Sequence, residues 1–221
     1  PVIWQINPSE TEVIPIKTLI AIPAMQTVPT KFLRCLENLR RLPNTYTSII
    51  ECSLIHDARN DFASIAIQND FDRVLWIDSD MTFEPDTLIR LSADMDRTDG
   101  GSIDMVCGLY FKRTPETMPV IYMGFSKSVS NGQDIYTPIP LPDYPEDCLF
   151  KIGGCGFGMV MTSVPLLRAV FLKFIAQTTK KITKPKTPRP IVTMQIILPI
   201  ILYELFFKHN KTIRKIKRII I

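Results

Sequence analysis

The sequence predicts an α/β fold, a mostly parallel β-sheet with flanking helices. Short apolar runs alternate with stretches of helical periodicity over the first 110 residues, which is the pattern of a parallel sheet covered on both faces. The apolar runs are continuous, as expected for strands buried on both faces. The 221 residues, 46% of them hydrophobic, are enough for one sizeable α/β domain or a small pair.

The first strand and helix are predicted between residues 17 and 42. Residues 17–23 form an apolar run that ends at Pro23-Ala24, which predicts a buried strand. The segment 30–42 has apolar residues at helical spacing, and Pro43 ends that helix. The apolar positions are Phe32, Leu33, Leu36 and Leu39.

Two further strand–helix units and a fourth strand follow. Residues 47–51 predict the second strand, and Asp57-Ala58-Arg59-Asn60 opens a helix that ends near residues 69–70. The run 74–77 predicts the third strand. Pro85 marks the start of a short helix over 87–95, and 105–110 predicts a fourth strand.

After residue 110 the pattern changes. Residues 120–123 are a candidate strand, and Asn131-Gly132 with alternating prolines at 138, 140 and 142 indicates a hairpin or an exposed loop. The segment 153–158 is rich in glycine and precedes another apolar run. It indicates either a glycine-rich turn or a backbone that must approach something closely or take positive φ.

Two carboxylates follow the third strand directly, in Asp78-Ser79-Asp80. In parallel sheets, ligands bind beyond the carboxyl ends of the strands. Two acids placed there favour a hard divalent cation bound together with a phosphate. The alternative is an acidic turn whose aspartates bond their own backbone and cap the next helix.

Charge divides the chain into two unlike parts. Residues 1–172 have a net charge of −7, whereas residues 173–221 have a net charge of +11 and only one acid, Glu204. We predict an N-terminal lead (1–16), a ligand-binding α/β half (17–110), an acceptor-side half with loops (111–172), and a basic, apolar tail (173–221).

Four motifs in this order resemble the GT-A fold glycosyltransferases, specifically the large inverting family called family 2. They are the strand end Ile22-Pro23-Ala24, the helix start Asp57-Ala58-Arg59-Asn60, Asp78-Ser79-Asp80, and the Gly-Gly-x-Gly-Phe-x-Met segment at 153–159. The resemblance covers about residues 17–170. It implies a Rossmann-like fold and the metal-dependent transfer of a sugar from a nucleoside-diphosphate sugar to an acceptor hydroxyl, with inversion at the anomeric carbon.

The resemblance also implies residue roles on the donor side. Pro23 and Ala24 would line the base pocket, and Glu51 would lie near the nucleoside. Arg59 would lie near the diphosphate, because its planar fork matches phosphate geometry. Its alternative role is a surface salt bridge with Asp57 or Asp61.

The metal and the acceptor side are implied in the same way. Asp78 would face the ribose or the metal, and Asp80 would ligate Mn²⁺ or Mg²⁺, which suit carboxylate and phosphate oxygens. The segment Gly154, Cys155, Gly156 and Phe157 would border the acceptor. We interpret His56, a lone histidine beside a helix start, as structural.

The chain departs from the family after the glycine segment. No aspartate follows Asp147, so the general base that the reaction needs is unassigned. Three interpretations of the tail compete: a membrane-surface anchor, a non-specific nucleic-acid arm, and an out-of-frame product. We favour the last, which fails if no frame-restoring single-base change in the coding DNA yields an acidic helix after about residue 172.

Two other functions stay open. Asp78-x-Asp80-x-Thr82 also matches the nucleophile motif of haloacid-dehalogenase-like phosphatases, and an inactive nucleotide-sugar-binding remnant is the third possibility. The sugar, the nucleotide base and the acceptor, whether glycan, lipid or protein, are not specified by the sequence. We expect specificity to lie in the loops over 112–147, and no specific nucleic-acid partner.

The pattern of cysteines indicates the cellular compartment of the protein. The five cysteines are scattered without a CxxC pair, which indicates reduced thiols and neither a zinc site nor a disulfide framework. No secretory signal pattern is visible at residues 1–10. We therefore expect a cytoplasmic protein, peripheral at a membrane if the tail binds lipid.

Overall fold

A computed structural model describes residues 15–97, 103–112, 117–130, 133–146, 148–170 and 219–220. Most of the predicted lead and tail therefore lies outside the described residues, and so do the three interpretations of the tail. The strands are β1 (Thr18–Ala24), β2 (Thr45–Glu51), β3 (Arg73–Ile77), β4 (Met105–Cys107), β5 (Ile121–Ser130), β6 (Gln133–Pro140), β7 (Gly154–Cys155), β8 (Met159–Ser163) and β9 (Ile219–Ile220). The helices are α1 (Thr30–Asn38), α2 (Ile55–Gln68) and α3 (Thr87–Met95), and residues 164–170 are also helical.

The main sheet has the strand order β2-β1-β3-β8-β4-β9. Strand β1 is parallel to both β2 and β3, whereas β8 is antiparallel to its neighbours β3 and β4. The expected α/β class, a mostly parallel sheet with flanking helices, is confirmed. The position of β8 was not predicted, because an apolar run does not reveal the direction in which a strand enters a sheet.

Burial on both faces explains the continuous apolar runs. Alternate residues of a strand point to opposite faces of a sheet. In β3, Val74 and Trp76 therefore join the cluster under α2, which includes Phe62. Leu75 and Ile77 join the cluster on the other face, together with side chains of α1 and α3. The buried indole N–H of Trp76 donates to Oγ1 of Thr162 on β8 at 2.9 Å, which ties the two strands together.

A second, three-stranded sheet has the order β6-β5-β7. The antiparallel β5–β6 hairpin pairs Ser130 with Gln133, so hairpin was the correct choice between the two predicted alternatives. Its Asn131-Gly132 connection lies outside the described residues. Strand β7 belongs to the glycine-rich segment and pairs with Ile121 and Tyr122 of β5.

The predicted element bounds differ from the structure at several ends. Helix α3 has the predicted bounds, but α1 ends at Asn38 because Leu39 is extended and the N–H of Arg40 bonds the Pro85 carbonyl. Helix α2 begins at Ile55, two residues before the predicted start, and β4 ends at Cys107 rather than at 110. Within the described part of the chain, no helix has the length and apolar character to cross a membrane.

Candidate active site

Three neighbouring strands end at one edge of the main sheet. Ala24 is opposite Glu51, and Ala21 is opposite Trp76, so the chain leaving β3 emerges beside the ends of β1 and β2. Ala24 is buried, Pro23 is half-buried and Glu51 is exposed. The tertiary structure thus brings the three residues predicted for the nucleoside to the edge at which Asp78 follows β3.

The turn after β2 is held in an uncommon conformation. Cys52 has φ of 54°, a left-handed value that non-glycine residues seldom adopt. Its N–H donates to the carbonyl of Ala24 at 3.1 Å, which closes the turn against the end of β1. This turn leads directly into α2, whose first turns point toward the same edge and supply Arg59.

Arg59 joins two distant segments of the chain. Its Nη2 donates to Oδ1 of Asp78 at 2.9 Å and to the carbonyl of Phe157 at 3.4 Å. The guanidinium also lies over the Phe157 ring, 4.8 Å from the centroid. The side chains of Arg59 and Asp78 are 20% and 30% exposed, so this ion pair is partly shielded from water. It replaces the surface salt bridge that we considered as the alternative for Arg59.

Burial and charge act in opposite directions on Asp78. Burial raises its pKa above the ordinary value of 3.8, the Arg59 guanidinium opposes that rise, and the Asp80 carboxylate adds to it. The backbone N–H of Asp78 donates to the Gly158 carbonyl at 2.9 Å, which fixes the carboxylate at the start of the loop. A positive ligand placed between the two carboxylates would favour the ionised form of Asp78.

We expect an Asp78→Asn variant to lose one component of the pH dependence of stability. The raised pKa means that the folded protein binds this proton more tightly than the unfolded chain does. The free energy of unfolding therefore falls as the pH rises from 3.8 through the raised pKa. Urea unfolding across acidic pH measures the difference between variant and wild type. A matched Asp61→Asn variant, at an exposed position of α2, should retain the wild-type profile, and parallel profiles for Asp78→Asn and wild type would contradict this expectation.

The predicted Mn²⁺ or Mg²⁺ requires oxygen ligands, and the described side chains include carboxylates that could supply them. Among the described residues, no group of three or more His, Cys, Asp or Glu side chains forms a cation cage. Mg²⁺ and its relatives are commonly held by one or two carboxylates with substrate phosphates completing the shell. Asp78 and the exposed Asp80 supply that kind of oxygen ligand, so these residues fit a divalent cation shared with a diphosphate.

Of the predicted acceptor-side residues, Phe157 contacts Arg59, whereas Gly154 and Cys155 form the strand β7. Phe157 joins the site through Arg59 and also contacts Trp76, with ring centroids 5.4 Å apart. Gly154 is buried within β7, where an added Cβ would lie 2.8 Å from the Phe125 ring. Cys155 is half-buried beside it, and its thiol contacts the buried Cys107 thiol. Hydrogen bonding to Cys155 and burial together raise the pKa of Cys107.

The glycines of the segment 153–158 are required for close approach and not for positive φ. None of Gly108, Gly124, Gly153, Gly154, Gly156 and Gly158 has φ in the left-handed range. At Gly153 an added Cβ would lie 2.0 Å from the backbone oxygen of Met123, and at Gly156 it would lie 1.9 Å from the Tyr110 hydroxyl. The groups that approach this segment closely thus belong to the protein itself.

Tyr110 is a site residue that sequence reasoning missed. Its hydroxyl accepts the N–H of Gly158 at 3.0 Å, and its ring contacts the glycine segment. Burial raises the pKa of Tyr110 to about 12, so the phenol is neutral at physiological pH. The sequence did not indicate a site role for Tyr110. The residue follows β4, and β4 comes to lie beside the glycine segment only because β8 enters the sheet antiparallel to it.

His56 lies in the first turn of α2. Its Nε2 is 3.5 Å from Oδ1 of Asp57, and its Nδ1 is buried without a hydrogen-bond partner among the described residues. Neither nitrogen contacts Arg59 or Asp78 through a hydrogen bond or ion pair of the described structure. The structural interpretation of this histidine stays a prediction.

Comparisons with known proteins identify no family. No protein-family model matches the sequence, and no curated protein matches it. Among solved structures, the crystal structure of A197 from STIV, a viral protein, is similar, with a TM-score of 0.52 and 17% sequence identity. The match covers 93% of this chain and 81% of that chain. At this identity the similarity shows an α/β fold alone.

Proposed function

We propose that this chain is a metal-dependent glycosyltransferase of the GT-A type. It would move a sugar from a nucleoside-diphosphate sugar to an acceptor hydroxyl, with inversion at the anomeric carbon. The observation that supports this best is the convergence of Arg59, Asp78 and Phe157, from three separate segments, at the edge where β1 and β2 end. Asp80 lies two residues beyond Asp78 at the same edge.

Each residue of the site has a binding task in this proposal. Pro23, Ala24 and Glu51 form the edge against which the nucleoside is bound. Asp78 and Asp80 would hold Mn²⁺ or Mg²⁺, which would neutralise charge on the diphosphate leaving group. Arg59 is already oriented by Asp78 and by the Phe157 ring, so little side-chain entropy is lost when its guanidinium meets a phosphate oxygen.

The transfer itself is a single displacement. The acceptor oxygen forms a bond to the anomeric carbon while the bond from that carbon to the diphosphate oxygen breaks. The electron pair of the broken bond leaves with the nucleoside diphosphate, whose added charge would be stabilised by Arg59 and by the divalent cation that Asp78 and Asp80 would hold. The proton of the acceptor hydroxyl passes to a base that the described residues do not identify.

Calorimetric titration of the full chain with UDP and GDP, with and without Mn²⁺, tests the donor site. We expect binding that requires Mn²⁺ and that Asp80→Ala weakens by at least roughly tenfold, which corresponds to about 1.4 kcal/mol. Asp61→Ala is the matched control, because it removes an exposed carboxylate of α2 and should leave binding unchanged.

Failure of this titration would separate the alternatives. A folded wild-type protein that binds neither nucleotide in Mn²⁺ would contradict the proposal. Release of phosphate from simple phosphomonoesters by that protein would favour the phosphatase, which uses Asp78 as nucleophile and Asp80 as acid and base. Metal-dependent nucleotide binding without sugar transfer or donor hydrolysis would favour the inactive remnant.

A further inference from the structure

A large cleft opens beside the Asp78-Ser79-Asp80 motif. It has a volume of about 1050 Å³, at the upper end of ligand pockets in general. Its lining includes the loop after β3, residues of α3, and residues 144–146 and 148–150. Met159 and the residues that follow β4, including Tyr110, also line it. Met81, the residue after Asp80, is part of the lining, so the cleft adjoins the acidic motif.

The lining of the cleft is amphipathic. Several aromatic rings line the cleft, and Tyr144 and Phe150 are nearly parallel, with centroids 6.2 Å apart and planes 9° apart. Charged side chains of both signs are also part of the lining, so the cleft has no strong net charge. The aromatic residues are Phe83, Tyr110, Tyr144 and Phe150, and the charged residues are Glu84, Arg90, Asp94, Arg97 and Glu146.

Two of the charged groups are constrained by their neighbours. Arg90 is paired at 2.9 Å with Asp86, the residue that precedes the first residue of α3. Burial raises the pKa of Asp94, while the adjacent arginines Arg97 and Arg90 oppose the rise. These groups supply donors and acceptors to the lining of the cleft, and the ring pair Tyr144–Phe150 supplies apolar surface to the same lining.

We propose that this cleft binds the acceptor and that the acceptor is a carbohydrate; the inference rests on the proposed transferase function. Sugar rings present an apolar C–H face, which packs on aromatic rings, and hydroxyls, which bond to carboxylates and guanidiniums. A lipid chain would desolvate five charged side chains without compensation. A strongly anionic acceptor would meet three carboxylates. Because Met81 lines the cleft and directly follows Asp80, an acceptor hydroxyl bound near Met81 would lie close to the proposed metal and diphosphate.

Saturation-transfer NMR on the full chain tests the inference with four trisaccharides as probes: chitotriose, maltotriose, cellotriose and mannotriose. We expect at least one of them to receive saturation at its ring C–H protons. Tyr144→Ala should weaken that binding by roughly tenfold because a ring contact is lost. Glu146→Ala removes an exposed carboxylate without opening the core, and should weaken binding by roughly threefold. Tyr136→Ala, on β6 outside the cleft, is the control that should leave binding unchanged.

Independent readouts separate this inference from the donor-site proposal. If no trisaccharide receives saturation, or if binding is unaffected by both Tyr144→Ala and Glu146→Ala, the carbohydrate acceptor is wrong even when UDP or GDP binds. A mixed-sequence peptide that binds in place of the trisaccharides would overturn it in favour of a protein acceptor. Saccharide binding should persist in Asp80→Ala, whereas nucleotide binding should persist in Tyr144→Ala.

Discussion

A Gly153→Ala variant is expected to be destabilised by about 3 kcal/mol or more. The added Cβ would lie 2.0 Å from the carbonyl oxygen of Met123, 2.4 Å from its carbonyl carbon and 2.7 Å from the nitrogen of Gly124. These are backbone atoms of β5, so no side-chain rotation relieves the overlap. The two strands must separate, which also breaks the 2.8 Å hydrogen bond from the Gly153 N–H to the Tyr122 carbonyl.

Urea unfolding measured by circular dichroism gives the free-energy difference. The matched control is Gly124→Ala on the neighbouring strand, where an added Cβ has no atom within 4 Å. That variant should have wild-type stability within about 1 kcal/mol, because the loss of glycine flexibility in the unfolded chain favours the folded state. Equal stabilities for Gly153→Ala and Gly124→Ala would show that β7 and β5 are not in the contact described here.

Gly156→Ala is expected to destabilise the protein by about 2–3 kcal/mol and to disturb the candidate site. The new Cβ would lie 1.9 Å from the Tyr110 hydroxyl and 2.6 Å from Cγ1 of Val120. The Tyr110 hydroxyl also accepts the N–H of Gly158. The Gly158 carbonyl in turn accepts the N–H of Asp78. Displacement of the tyrosine therefore moves the backbone that positions both Asp78 and Phe157.

A double-mutant cycle with Tyr110→Phe identifies the atom responsible. Once the hydroxyl is removed, the nearest atom of residue 110 is the ring carbon Cζ, 2.9 Å from the added Cβ. The contact with Val120 persists. The loss of stability caused by Gly156→Ala should therefore be smaller in the Tyr110→Phe background than in the wild type. Strict additivity of the two substitutions would contradict a direct contact between Gly156 and the hydroxyl.

The candidate site could be predicted from sequence only where it follows from local order along the chain. A buried strand that runs into two acids is visible in Val74 to Asp80, and a helix that begins near Asp57 places Arg59 in its first turns. The contact of Arg59 with Phe157, 98 residues later, depends on β8 entering the sheet beside β3. No spacing in the sequence encodes that pairing, because strand partners are chosen by tertiary packing.

The cleft likewise could not be predicted from the sequence. Its lining comes from segments about 60 residues apart, and the sequence indicated only that loops between 112 and 147 set specificity. The Tyr144–Phe150 ring pair and its place in one cleft with Arg90 and Asp94 arise from the folded backbone. Composition alone could not distinguish these aromatic side chains from core residues.

The sequence by itself determined the α/β class, the order of the first three strand–helix units and the acids beyond β3, because hydrophobic periodicity and terminal residues act within a few residues of the chain. Only the tertiary structure decided the antiparallel position of β8, the Arg59–Asp78–Phe157 contact and the role of the glycines. The glycine-rich segment is the clearest case. Its glycines are explained by Met123 and Phe125, which approach it from β5, and by Tyr110, which approaches it from the loop after β4. Such long-range contacts depend on the packing of the whole fold.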